Sequence, residues 1–211
     1  MKNVLAFFGA FNPPTRAHVE LADFAFRAAG REGVIFVPSR ADYIRNDQGK
    51  DGVLSGETRL AMLEKLAETR PWMEVTGREL REPVQPRTYA TLCSLRKDGY
   101  APSLLIGSDK LPELNTWKYM PDLIREFGIV CLARGGDDCR GIIDADPFLK
   151  DLRDHITLLE TPDDWRDISS SKVREALREG RQEDLARMVP EEILHFVQND
   201  TVCNTDIAVN N

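Results

Sequence analysis

The stretch Lys2-Asn-Val-Leu-Ala-Phe-Phe-Gly9-Ala-Phe-Asn-Pro-Pro-Thr-Arg-Ala-His18-Val-Glu-Leu-Ala-Asp-Phe-Ala-Phe-Arg-Ala-Ala29 decides how the rest of the chain is read. Lys2–Phe8 is dominated by an unbroken apolar run, the pattern of a central strand buried on both faces. From His18 to Ala29 the apolar residues Val19, Ala22, Phe26 and Ala29 recur at helical spacing. Between them lies a short loop in which Gly9 and Ala10 are small and Pro13 and Pro14 fix the turn. A strand, a tight small-residue loop and a helix form the opening unit of a fold with parallel strands and helical crossovers.

The rest of the chain repeats that alternation. Val34–Val37 is β-rich and closed by Pro38, and Ala41–Gly52 is polar and aperiodic, the pattern of a mobile loop. Ser55 is an N-cap candidate before Leu60, Leu63, Leu66 and Ala67 on one helix face. Met73–Val75 reads as a short strand, Thr88–Lys97 as a helix stopped by Gly99, and Ser103–Ile106 as a strand ending at Gly107. Met120–Phe127 reads as a helix, Gly128–Ala133 as a strand, Arg134–Gly141 as a loop and Ile156–Leu159 as a last short strand. Helices over Ser170–Glu179 and Glu183–Asn199 finish the chain. We expect one domain over residues 1–200, a mostly parallel, doubly wound sheet with helices on both faces, and a flexible tail over 201–211. Ligands of such sheets bind beyond the strands' C-terminal ends, here Phe8, Val37, Ile106 and Ala133.

Bulk properties narrow the function. At 211 residues with a formal net charge of −7, the chain has the wrong sign for a protein that neutralises many nucleic-acid phosphates. No apolar run reaches the ~18 residues needed to cross a bilayer, and the N-terminal run is too short for a secretory leader. The cysteines Cys93, Cys131, Cys139 and Cys203 are scattered, which suits reduced thiols in the cytoplasm better than a disulfide framework or a zinc site.

Two segments carry the chemistry. In Gly9-Ala-Phe-Asn-Pro-Pro-Thr-Arg-Ala-His18 the backbone N–H groups can approach an anion, and His18 falls near a helix N-terminus, where phosphate is already favoured. In Ile168-Ser-Ser-Ser-Lys-Val-Arg174 three hydroxyls open a helix with Lys172 and Arg174 just inside, a set of donors and charges suited to a polyphosphate. Taken singly, each also fits a turn, a helix cap and solvent-facing charges.

Together, in this order and at opposite ends of the chain, they resemble the G-x-F-x-P-x-[HT]-x-G-H and I-S-S-T-x-[IV]-R signatures of the nucleotidylyltransferase superfamily. Further segments are similar to its nicotinate/nicotinamide mononucleotide adenylyltransferase branch: Phe36-Val-Pro-Ser39, Arg59 to Met62 as R-x-x-M, Arg87-Thr-Tyr-Ala-Thr-Leu92 as S-Y-T-x-x-T-L, Leu104-Leu-Ile-Gly-Ser-Asp109 as I-I-G-A-D, Trp117 as the tryptophan of L-x-x-W, and Arg134 at a strand end. The resemblance runs from about Val4 to Val197.

That resemblance implies a Rossmann-like enzyme that transfers the adenylyl group of Mg2+-bound ATP to a pyridine mononucleotide and releases pyrophosphate. Gly9, Ala10, Phe11, Thr15 and His18 are then expected at the nucleotide phosphates, Ile168, Ser169, Ser170 and Arg174 on the triphosphate from the other side, and Gly107 and Asp109 beside the adenosine. Phe11, Asn12, Thr88, Tyr89, Trp117 and Arg134 are expected to frame the mononucleotide, with His18 and Arg174 stabilising charge rather than acting as bases. No protein ligand to the metal can be read, since such ions bind mainly through phosphate and water.

Three departures stand out. Ala17 replaces a glycine, Arg87 replaces a serine, and a Pro-Pro-His-Lys loop after the second strand is absent; Arg45 and Lys50 are both candidates for the missing cation. A sister transferase with another phosphate acceptor, such as phosphopantetheine, and a nucleotide-binding regulator without turnover are the alternatives. The Thr88-Tyr89 segment and Trp117 favour an aromatic acceptor. Nicotinate against nicotinamide, and monomer against homo-oligomer, are left open by the sequence.

Overall fold

The protein is described from a computed structural model covering residues 1–50, 52–133 and 136–205, from 199 onward as backbone alone. In chain order the elements are β1 (Lys2–Gly9), α1 (Arg16–Ala28), β2 (Gly33–Pro38), α2 (Ala41–Asn46), α3 (Gly56–Ala67), β3 (Met73–Val75), α4 (Thr88–Lys97), β4 (Tyr100–Gly107), α5 (Met120–Phe127), β5 (Ile129–Ala133), α6 (Cys139–Ala145), α7 (Pro147–Asp151), β6 (Ile156–Glu160), α8 (Ser170–Arg178), α9 (Gln182–Met188) and α10 (Glu191–Thr205). The strands form one sheet in the order β3-β2-β1-β4-β5-β6. All of its pairings are parallel. This is the doubly wound order, and its reversal between β1 and β4 makes a crevice at the strands' C-terminal ends.

Burial follows the strand period. Leu5, Phe36, Leu105 and Leu132 face the core shared with α1, α3, α8, α9 and α10, whereas Val4, Ala6, Ile35 and Ile106 face the core shared with α4, α5 and the helices after β5. Val4, Leu5 and Ala6 have no exposed surface, as the unbroken apolar run predicts for a central strand. At Gly33 a Cβ would lie 2.4 Å from the Trp72 carbonyl, so β2 can start beside the chain entering β3 only with glycine there.

The structure corrects several local expectations. The segment after β2 is helical over Ala41–Asn46, where a loop was expected; its one buried anchor, Ile44, is too little to show a period. Two short helices, α6 and α7, occupy a region with no predicted helix, and the side chains of Asp138 and Asp146 cap their first turns through the Gly141 and Phe148 N–H groups. The expected helix over Glu183–Asn199 is two helices, because Pro190 cannot donate and holds Val189 extended. Strand β4 begins three residues earlier, at Tyr100, and tolerates Pro102 for a definable reason. Leu104 N–H points toward Gly128 on the β5 side, so the ring nitrogen of Pro102, two residues back, points to the same side. β5 pairs with β4 only from Leu104 onward, so that position has no ladder partner to lose. The tail expected from residue 201 extends past the described residues; the backbone of α10 is helical through Thr205.

Candidate active site

A cleft of about 300 Å³ opens at the C-terminal ends of β1 and β4, between the start of α1 and the start of α8. Of the residues singled out from the sequence it brings together Thr15, His18, Gly107, Asp109, Trp117, Ile168, Ser169 and Ser170. The first wall is built by local capping. Thr15, fully buried, is the N-cap of α1, and its side-chain oxygen accepts from His18 N–H at 3.4 Å. In return the Thr15 N–H donates to His18 Nδ1 at 3.1 Å, and the Thr15 hydroxyl lies 2.7 Å from the same nitrogen. An Nδ1 that accepts a backbone N–H cannot carry the proton of a neutral imidazole, so the ring's donor is Nε2.

The loop before it is held from below. Phe11 has a φ of +44°, in the left-handed region, and its ring is buried 5.4 Å from Phe7, 5.4 Å from Phe36 and 5.2 Å from His18. A Cβ on Gly9 would lie 3.0 Å from the tip of that ring, so this glycine is filled by Phe11 as well as leaving backbone room. Asn12, 1% exposed, donates from Nδ2 to the Gly52 carbonyl at 3.0 Å and accepts the Leu54 N–H at 2.9 Å. Its amide is engaged by the 52–54 segment.

The second wall is tied to the first. The Ser169 side chain caps α8 by accepting Lys172 N–H at 3.3 Å. Ser170 Oγ donates to the Pro13 carbonyl at 2.8 Å and Arg174 Nη1 to the Asn12 carbonyl at 2.8 Å. The two signature segments, 157 and 162 residues apart along these bonds, therefore meet directly. Burial, with the Arg178 charge, depresses the Arg174 pKa. Lys50 is likewise lowered by burial and by the charges of Lys110 and Arg174, against the opposing pull of Asp109. Arg45 instead donates to the Val53 carbonyl at 3.2 Å. Of the two cations left open by the sequence, Lys50 feels the charges of Lys110, Asp109 and Arg174, while the Arg45 charge acts on the buried Arg59.

On the far side of the crevice Gly107 ends β4, and a Cβ there would collide with Asp109 Oδ1 at 2.6 Å. Asp109 is exposed and ion-paired with Lys110 at 3.6 Å. Trp117 is half-buried on the cleft wall. Thr88 and Tyr89, at the start of α4, do not line this cleft. The Tyr89 hydroxyl donates to Glu126 at 2.7 Å, which pushes its pKa up to about 12, and its ring stands 5.6 Å from Tyr119. Gly9, Ala10, Phe11, Asn12 and Arg174 are not among the residues that line the cleft, and Arg134 lies outside the described residues. Lys110, Thr161, Trp165 and Arg166 also line it and were not singled out from the sequence. Position gave the available signal: Lys110 follows Asp109, Thr161 follows β6, and Trp165-Arg166 run into Ile168.

A doubly wound parallel sheet with a cleft at its switch point, walled by two helix N-termini and a histidine, has the architecture of the nucleotide-binding α/β class. A family model described as cytidylyltransferase-like matches residues 6–176, and the chain belongs to that family. It is 28% identical, over 92% of its length and 83% of the relative's, to a nicotinamide/nicotinic acid mononucleotide adenylyltransferase of Oryza sativa subsp. japonica. With a probable nicotinate-nucleotide adenylyltransferase of a Hydrogenobaculum species it shares 26% identity over 94% of this chain and 97% of the other. The fold is similar to that of the Plasmodium falciparum nicotinic acid mononucleotide adenylyltransferase complexed with NaAD, with a TM-score of 0.74 at 19% identity over 93% of this chain and 95% of that one.

Proposed function

We propose that the protein is a cytosolic adenylyltransferase that joins Mg2+-ATP to nicotinate mononucleotide or nicotinamide mononucleotide, forming the dinucleotide and pyrophosphate. The observation that carries this reading is the meeting of both signature segments at one cleft, with Thr15 and His18 on one wall, Ser169 and Ser170 on the other, and the Ser170 hydroxyl bonded to the Pro13 carbonyl. An oxygen of the mononucleotide's 5′-phosphate attacks the α-phosphorus of ATP, a new P–O bond forms, and the bond from the α-phosphorus to the bridging oxygen breaks as pyrophosphate leaves. The acceptor phosphate is already an anion, so no base is needed, and the protein's work is alignment and stabilisation of spreading charge. His18, Ser169, Ser170 and Arg174 face the triphosphate, Lys50 supplies the cation that the shortened loop after β2 lacks, and Trp117 flanks the pyridine ring. Mg2+ enters with the ATP as part of the substrate.

The test is pyrophosphate release with Mg2+-ATP and each of nicotinate mononucleotide, nicotinamide mononucleotide and 4′-phosphopantetheine. Turnover with a pyridine nucleotide supports the reading and names the acceptor. Turnover with phosphopantetheine alone replaces it with a sister transferase, and none with any acceptor replaces it with a nucleotide-binding regulator. Lys50→Ala should raise the KM for ATP by about 10-fold, the scale of one charge-assisted contact, and Arg45→Ala should leave it near wild type.

A further inference from the structure

Arg59 on α3 is a charged residue with no exposed surface. Its Nε donates to the Leu54 carbonyl at 3.2 Å and its Nη1 to the Ala10 carbonyl at 2.8 Å, while Nη2 is buried without a hydrogen-bond partner among the described residues. Burial holds its pKa down to about 10, still a cation at neutral pH. Fully buried arginines are normally paired with carboxylates, because an uncompensated interior charge is costly. This one holds two carbonyls instead.

Where those carbonyls lie gives the residue its meaning. The Ala10 carbonyl belongs to the same peptide as the Phe11 N–H, and a cationic donor on the oxygen makes that N–H more positive. The Phe11 N–H has no acceptor among the described residues, and the peptide's orientation is fixed by the φ of +44° and the buried Phe11 ring. The other arm of the fork leads to the rest of the site. Leu54 N–H donates to Asn12 Oδ1, and the Asn12 carbonyl takes Arg174 Nη1. One guanidinium thus connects α3, the 52–54 segment, the loop after β1 and α8.

We propose that Arg59 is a positioning residue of the phosphate site: its fork on Ala10 and Leu54 presets the Phe11 N–H as an anion donor, and its unpaired charge has the bound polyphosphate as its counter-ion. This rests on reading the loop after β1 as phosphate-binding. Arg59 acts through the Ala10–Phe11 peptide and the field beneath it, not by contact with the reacting atoms.

The experiment uses the full chain with Arg59→Lys and Arg59→Met and inorganic tripolyphosphate as the probe, its Kd read by calorimetry below the melting temperature of each variant. We expect Arg59→Met to weaken binding about 10- to 100-fold and to flatten its salt dependence, the scale of losing a charge-assisted donor. Arg59→Lys restores the charge but cannot span two carbonyls, so it should recover part of the affinity. A folded variant that binds tripolyphosphate as wild type does, whatever its drop in Tm, overturns the proposal and leaves Arg59 a purely structural residue. If Arg59→Met does not fold, Arg59→Lys decides alone, a severalfold rise in Kd supporting the proposal and an unchanged Kd overturning it. Wild-type protein that transfers no adenylyl group to any pyridine nucleotide, yet binds tripolyphosphate in an Arg59-dependent way, would sink the enzymatic reading and leave this one standing.

Discussion

The two halves of the site are built differently. On the side we assign to phosphate, Thr15, Asn12 and Arg59 are 1% exposed or less, and each is hydrogen-bonded to another part of the same wall, with only Arg59 Nη2 left without a partner among the described residues. On the side we assign to the acceptor ring, Tyr119 beside Tyr89 is 57% exposed, and Tyr89 bonds sideways to Glu126 on α5. The first half is set in its geometry by buried bonds that any substrate must accept. The second presents aromatic surface whose arrangement depends on bonds made at the protein's exterior. On the proposed function, charge stabilisation falls to the rigid half and choice of acceptor to the other.

The sharpest way to break that contrast is His18→Ala. Loss of one positioned donor to developing charge should cost ~10²–10³ in kcat with circular dichroism unchanged. A variant turning over at near wild-type rate would remove the phosphate half's claim to the chemistry. Asn12→Ala comes next: it strips two of the bonds that hold the 52–54 segment, and steady-state kinetics should show the KM for ATP rising by about 10-fold. Chemical denaturation should show a loss of roughly 1–3 kcal/mol, because the Leu54 N–H loses its partner.

The buried carboxylate Glu79, beneath α4, offers a pH test. Burial raises the pKa of Glu79 above its ordinary 4.5, against the hydrogen bonds donated by Thr91 and Gln85, and Gln85 in turn accepts Arg40 N–H. The folded protein thus holds this proton more tightly than the unfolded chain. Its stabilising contribution is full below pH 4.5 and is lost as the pH rises through the raised value. The Tm of Glu79→Gln should therefore gain on wild type as the pH is taken from below 4.5 toward neutrality. A difference independent of pH would show that Glu79 does not titrate in this window. The smallest effect belongs to Tyr89→Phe, which removes an exterior bond: the KM for the mononucleotide should move by no more than about 3-fold and that for ATP not at all. A large change in the ATP constant would mean that the halves are not separable.

The sheet was legible because buried parallel strands announce themselves as apolar runs, and the walls because capping residues and phosphate donors share one short segment at each helix start. What escaped the sequence had no period to reveal it. Helix α2 has one buried side chain, and α6 and α7 have only two and one, beside their aspartate caps. The engagement of Asn12 with residues 52–54 joins a loop to a loop, which local pattern does not encode. Arg59 was visible as part of a motif, but its burial without a carboxylate emerges only when the chain is folded. Trp165 and Arg166 reach the cleft because a single turn at Asp163–Trp165 after β6 carries them there, a matter of path rather than composition.

The clasp between the chain's two ends bears on the order of events during synthesis. Ser170 and Arg174 reach back to Pro13 and Asn12, so the nascent protein carries its first phosphate loop long before the helix that completes it emerges from the ribosome. The central strand faces the same delay, since β4 must arrive before β1 is flanked on both sides. A chain released before α8 would have every strand of the sheet and one wall of the cleft, without the opposing wall. Completion of the cleft therefore waits on the synthesis of α8, whichever strands are already in place.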